Sequence, residues 1–248
     1  GLDVDPACVK AVERTIEILR SEGHVVEEVA LPYQKEDLSK SFLVVVAGEI
    51  AGELKVLGDF LGRKVRPADV EPNTYALHLL GKSYTAGDYT YAKRKWNEIS
   101  RRIADFHQQY DLLLTPTLGQ RPFKIGALQN SAAEERLIGL INTLSLGSAV
   151  RSQIDPLAEK IYNWMPWTAF ANISGQPSMS VPLYWSDDHL PVGVMFSARF
   201  GEEDLLFRLA GQLEKVAPWW DKVPEIGILG DWDIGDIGIL GYWILAHS

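Results

Sequence analysis

The stretch Trp167-Thr-Ala-Phe-Ala-Asn-Ile-Ser-Gly-Gln-Pro-Ser-Met-Ser-Val-Pro182, followed by Leu190-Pro-Val-Gly-Val-Met-Phe-Ser-Ala198, constrains the fold more than any other part of the chain. It reads as a short helix, a Gly-Gln-Pro turn and two apolar strands. Gly175 can take the positive φ that ends a helix. Pro177, with its fixed φ and missing N–H, pushes Gln176 toward extended geometry. Met179, Val181 and Leu183 alternate with polar or small residues, and Val192, Val194 and Phe196 repeat the pattern after Ser186-Asp-Asp-His189. Period-two alternation broken by a polar turn predicts two paired strands.

The chain opens with a marked helix. Asp5 can cap it, Pro6 suits its first position, and Val9, Val12, Ile16 and Leu19 recur at helical spacing until Gly23. That stripe should face a sheet, and His24–Leu31, with Val25, Val26, Val29 and Leu31, reads as a strand ended by Pro32. Residues 38–57 read as a second helix, because Glu49, Glu53 and Lys55 continue the helical spacing beyond the β-branched run Phe42–Val46. Gly58–Asn73 is turn-rich and reads as a surface excursion. Asp88–Gln109 reads as a long helix with an apolar stripe of Tyr91, Trp96, Ile99, Ile103 and Phe106. Asp111–Thr115 reads as a buried strand ended by Pro116, and Ala132–Ser148 and Glu203–Val216 as helices. Arg151–Pro166 mixes helix and loop.

At several of these places the chain resembles the amidase signature hydrolases, serine enzymes that cut amide and sometimes ester bonds. The resemblance is carried by Asn172-Ile-Ser-Gly-Gln-Pro-Ser-Met-Ser-Val-Pro182, Leu190-Pro-Val-Gly193 and Gly201-Glu-Glu-Asp-Leu-Leu-Phe-Arg-Leu-Ala210, closed by Pro218-Trp219. Upstream it is supported by Tyr110-Asp-Leu-Leu-Leu-Thr-Pro-Thr117, and it covers roughly residues 1–225. It implies an α/β fold, a layered mixed β-sheet flanked by helices, here incomplete, with the loop after the 111–115 strand running near the substrate region. It also implies a nucleophilic serine, a second serine in a cis peptide and a lysine, with the serines in or near a Gly-Gly-Ser-Ser-Gly-Gly type loop. No such string occurs in the 248 residues.

The expectation is therefore the C-terminal part of an amidase acting on a small-molecule amide, with the nucleophile on a separate N-terminal chain and no catalytic residue of its own. The alternative is a catalytically empty amidase-like domain with a binding, structural or self-association role, a homo-oligomer included. The resemblance implies one wall of an acyl pocket, lined by Trp164, Trp167, Thr168, Phe170 and Asn172, with Gln176 orienting the backbone beside it. Core packing is the competing reading for each aromatic, and helix capping for Asn172.

Composition narrows the partners. A formal charge of −9 disfavours non-specific binding to nucleic acid or an anionic membrane. One cysteine, Cys8, excludes an intrachain disulfide and argues against a cysteine metal site. The five histidines stand at no metal-ligand spacing, so no metal and no cofactor are expected. With no signal-like opening and no long apolar run, the expected location is cytoplasmic. Gly81-Lys82-Ser83 resembles the end of a phosphate loop, but position 76 is Ala where such a loop needs Gly. Gly147-Ser148 lacks the context of a nucleophile elbow.

Residues 226–248 fall outside the resemblance. Ile226-Gly-Ile-Leu-Gly230 returns as Ile237-Gly-Ile-Leu-Gly241, too few copies for a solenoid. They read either as a read-through extension or as an added edge strand or self-association segment.

Overall fold

The computed structural model describes residues 3–127, 129–147, 151, 162 and 164–223. The expected mixed helix–loop segment at 151–166 and the Gly/Ile-rich tail lie largely or wholly outside them.

Helix α1 (Pro6–Ser21) begins as the sequence dictates: the Asp5 carboxylate accepts from the Ala7 N–H at 2.8 Å, and Pro6 occupies the first turn. Past its end, Gly23 takes φ 87°. The face turned to the sheet differs from the expected stripe. Cys8, Ala11, Thr15, Ile18 and Leu19 are buried, whereas Val9 is 43% exposed. Small side chains at 8, 11 and 15 let the helix approach the sheet closely, and Thr15 satisfies its hydroxyl on the Ala11 carbonyl at 2.7 Å. The expected strand at 24–31 is corrected: these residues join no ladder, and Val25 is 88% exposed. Alternation supplies a strand's side chains, but a strand also needs a neighbour to bond with.

The sheet contains β1 (Leu112–Pro116), β2 (Ser178–Trp185) and β3 (Pro191–Ala198) in the order β1-β3-β2. Both pairings are antiparallel, with Leu114 opposite Phe196 and Val181 opposite Val194, so the parallel pairings of a mixed sheet are not among the described residues. Between Val181 and Tyr184 the register shifts across Pro182, which has no N–H to give and sits on an outer strand where that costs least.

Alternation then assigns two faces. Val181, Val192, Val194, Phe196 and Ala198 pack against α1 and α7 (Glu203–Val216) through Leu206, Leu209 and Leu213. Leu113 and Met195 point the other way, onto Phe170 of α6 (Thr168–Ser174), Ile99 and Ile103 of α4 (Ala86–Phe106), and Leu38 of α2 (Lys35–Leu61). The result is helix, sheet, helix: the expected α/β layering. Phe196 and Phe170 are 1% and 0% exposed on opposite faces, each worth roughly 1.5–3 kcal/mol of burial.

The run Phe42–Val46 is helical. Its β-branched residues are accommodated because α2 packs against both α4 and α3 (Pro72–Ser83), so more than one of its faces is covered. Helix α3 is a correction to the sequence reading, which ended the turn-rich excursion at Asn73 and placed no helix after it. Pro72 at its first position was the available signal. A Cβ at Gly81 would stand 2.0 Å from the Ala47 carbonyl oxygen, so α2 and α3 touch backbone to backbone there. Gly81-Lys82-Ser83 is thus the last turn of a packed helix, with Ser83 bonded to the Leu80 carbonyl at 2.6 Å. Helix α5 (Ala132–Leu144) opens with a reciprocal cap between Ser131 and Glu134 and packs on α3.

Candidate functional site

The loop that leaves β1 ties four elements together. Thr117 donates its N–H to the Gly193 carbonyl at 3.1 Å, and its hydroxyl meets that of Ser180 at 2.7 Å. Gly193 permits this, since a Cβ there would lie 2.7 Å from Ser180 Oγ and 3.0 Å from Thr117 Oγ1. Gly119 donates to the Trp164 carbonyl at 3.1 Å and accepts from the Asp5 N–H at 2.9 Å. Arg121 bridges the Asp5 carboxylate at 2.9 Å and the Asp188 carboxylate at 3.4 Å; the Ser186 hydroxyl chiefly holds Asp188 below the usual carboxylate range, and Asp5 also caps α1. Phe123 stands edge-on to Trp164, ring centres 5.0 Å apart.

The six residues expected to form a pocket wall lie along this region, and Trp167 also lines the groove beside β1. Trp164 is half-buried against Phe123. Trp167 is buried, with Leu113 and Met195 in its cluster. Phe170 is wholly enclosed, its ring 5.7 Å from that of Tyr33. Thr168 is half-buried and accepts, through its carbonyl, the side-chain N–H of exposed Asn172 at 3.2 Å. Gln176 donates to the Ala198 carbonyl at 2.8 Å and accepts from Ser174 at 3.2 Å, which fastens the end of α6 to β3.

The sequence reading missed Phe123, Arg121 and the hydroxyls of Ser180 and Thr117. Ser180 and Thr117 lay inside quoted motifs. Nothing local marks Phe123, whose contact depends on where the loop folds back.

Beside β1 opens a groove of about 1670 Å³ that reaches Trp167 at one end and the turn after α1 at the other. Its lining includes Val9, Val12 and Ile16 of α1, of which Val9 is exposed and Val12 also packs against the sheet-facing core. Behind it His107 is 1% exposed; its Nδ1 donates to the Tyr110 carbonyl at 3.0 Å and its Nε2 has no partner. Burial, reinforced by Arg199, lowers its pKa against smaller opposing contributions from neighbouring backbone groups and Glu202. Burial and the nearby Asp5 push the Cys8 thiol up to about 11.

The described residues hold hydroxyls, carbonyls and aromatic rings near the end of β1, and none of their serine or threonine hydroxyls bonds to a histidine. That arrangement can shape and orient a bound group, whereas nucleophilic catalysis needs an activated hydroxyl. Among the described residues no three His, Cys, Asp or Glu side chains converge as a metal site would need, and no helix is long and apolar enough to cross a membrane.

The Amidase family profile matches residues 1–207. The chain belongs to the amidase family. It is 27% identical over 226 residues to the 6-aminohexanoate-cyclic-dimer hydrolase of Pseudomonas sp. (strain NK87), covering 90% of this chain and 43% of that protein. It is 31% identical over 222 residues to the lipoamidase of Enterococcus faecalis, covering 86% of this chain and 29% of that one. The solved structure of a 6-aminohexanoate cyclic dimer hydrolase complexed with substrate superposes with a TM-score of 0.71 at 27% identity, over 90% of this chain and 44% of that one. A bacterial aryl acylamidase of the amidase signature family shares the fold, with a TM-score of 0.63 at 16% identity. This amidase-family chain spans less than half the length of these curated relatives.

Proposed function

We propose that this chain is part of an enzyme that hydrolyses carboxylic amide bonds of small molecules, esters being the nearest alternative substrates. The observation that carries the reading is the family match over residues 1–207. Amide hydrolysis needs a hydroxyl activated to attack the carbonyl carbon and N–H donors aimed at the oxygen that becomes negative. In the proposal the nucleophilic serine, the second serine and the lysine belong to a Gly-Gly-Ser-Ser-Gly-Gly type segment outside these 248 residues, on a separate N-terminal chain.

Residues of this chain take the supporting part. Trp164, Thr168 and Asn172 would meet the acyl group, Trp167 and Phe170 would back them from the core, and Gln176 would hold α6 against β3 so that this wall keeps its shape. One relative is named a 6-aminohexanoate-cyclic-dimer hydrolase and another a lipoamidase, which supports the reaction type. We place the enzyme in the cytoplasm.

The test is denaturing intact-mass measurement of the protein isolated from its source, followed by an amide-hydrolysis assay on the same material. We expect a second polypeptide bearing the serine-rich segment beside the 27.7 kDa chain, and hydrolysis abolished by a serine-directed sulfonyl fluoride. A lone 27.7 kDa species without hydrolysis overturns the reading and leaves the catalytically empty domain in its place.

A further inference from the structure

The strap of residues 117–123 that leaves β1 is anchored at almost every second position. Thr117 bonds to Gly193 and Ser180, Gly119 to Trp164 and Asp5, and Arg121 pairs with Asp5 and Asp188. Between them the Gln120 side chain donates to the Asp3 carbonyl at 2.9 Å. Each of these anchors belongs to this chain, so the strap takes its shape from residues described here. Connecting loops are ordinarily the mobile part of a fold, and one tied down in this way holds its side chains in fixed places.

The side chain so placed is Phe123. Its ring stands at 86° to that of Trp164, centres 5.0 Å apart, while Gly119 of the same strap holds the Trp164 carbonyl. Residues 119–123 therefore set both the backbone and the ring of Trp164. Phe123 is 45% exposed and Trp164 half-buried, so the pair keeps ring surface for a third group. Two rings at a right angle form a corner with flat walls. A flat group can lie against one ring and turn its edge to the face of the other, whereas a puckered group of the same size fits neither wall closely. The Arg121 guanidinium is committed to Asp5 and Asp188, so the strap recognises by ring contact here and uses that charge to hold itself in place.

We propose that Phe123 is a specificity-determining residue: with Trp164 it selects amides whose acyl group is flat, aryl or conjugated, over those whose acyl group is puckered or branched. Arg121 is its positioning residue and acts only through the strap. The proposal deepens the hydrolase reading and rests on it for where the acyl group lies.

Benzamide and cyclohexanecarboxamide share a carbon skeleton and differ in flatness, so they are the probes. The measured quantity is the ratio of their kcat/KM values in the enzyme as its source produces it. Comparing that ratio between variants cancels the amount of folded enzyme and the intrinsic reactivity of each amide. Phe123→Leu, at a partly exposed position, should lower the benzamide preference about tenfold. Arg121→Gln should lower it by about threefold, and Arg121→Lys, which keeps a cation between Asp5 and Asp188, should restore most of it. A ratio that Phe123→Leu leaves unchanged overturns the proposal, and one that Arg121→Gln leaves unchanged overturns the part given to Arg121. A second readout needs no hydrolysis. In nitrogen-15-labelled protein the Trp164 indole N–H, assigned through Trp164→Phe, should shift further with benzamide than with cyclohexanecarboxamide, and Phe123→Leu should remove the difference. Equal shifts with both amides, or none with either, overturn the proposal. Selective shifts without hydrolysis of either amide would sink the hydrolase reading and leave the selectivity of Phe123 standing, whereas hydrolysis with an unchanged ratio would do the reverse.

Discussion

Gly81 and Gly139 show how little a residue's identity says without its surroundings. Both are glycines inside helices, where alanine would ordinarily gain about 1 kcal/mol. At Gly139 nothing lies within 4 Å of an added Cβ, so Gly139→Ala should stabilise the protein by roughly 0.5–1 kcal/mol in urea titration. At Gly81 the Cβ would meet the Ala47 oxygen at 2.0 Å, its carbon at 2.6 Å and Ala51 Cβ at 2.9 Å. Gly81→Ala should therefore cost about 3 kcal/mol or more, since two helix backbones must separate. Equal effects of the two substitutions would show that α2 and α3 do not pack in this way.

His107 gives a residue-scale prediction in pH. Its neutral form donates from Nδ1 to the Tyr110 carbonyl, and protonation would put a second proton on a buried Nε2 that has no acceptor, near Arg199. The folded pKa lies below the ordinary histidine value of 6.5, so the unfolded chain binds the extra proton first. The stability this group contributes is whole above pH 6.5 and is lost as pH falls from there toward the lowered folded value. The urea midpoint should fall through that window, and His107→Gln should flatten the fall. His78, also lowered by burial and by Lys82, should leave a residual slope of the same sign.

At the scale of elements, the cap of α1 is shared property. Asp5 accepts from Ala7 and pairs with Arg121, which reaches on to Asp188 in the β2–β3 turn, so one carboxylate starts a helix and pins the loop after β1. Asp5→Ala should cost about 1–2 kcal/mol, most of it the cap, because an exposed ion pair adds about 1 kcal/mol at best. Asp5→Asn keeps an oxygen for Ala7 and should cost about 0.5 kcal/mol, the part owed to charge. Equal losses would mean that the ion pair outweighs the cap. The caps, α7, the α6–Gly175 stop and the β2–β3 hairpin were all legible from residue order, because each depends on neighbours a few positions away. Helix α3 was as legible, through Pro72, and was overlooked amid turn-forming residues.

For the whole molecule, the family match ends at residue 207 and so calls on nothing in residues 224–248, whose deletion should change stability by less than about 0.5 kcal/mol in urea titration. A larger loss would give the tail a structural part and would recast 1–225 as less than a unit. The layering that the core clusters define also sorts the six wall residues. Phe170 and Trp167 are buried by α6 lying between α4 and the sheet, whereas Trp164 and Asn172 remain near solvent. Sequence alone could group them only by proximity along the chain.

Order along the chain determined the α/β class, the strand–turn–strand centre, most helix limits and the family, since all of these rest on short-range spacing and on motifs kept in register. Tertiary structure alone decided three things. It turned α1 so that Cys8, Ala11 and Thr15, rather than Val9, meet the sheet, because close approach favours small side chains over large ones. It denied residues 24–31 a ladder, because hydrogen bonds between strands need a second strand in place. It also left Val9 43% exposed in the groove beside β1, because burial is a property of what packs against a face, which no spacing of residues can record.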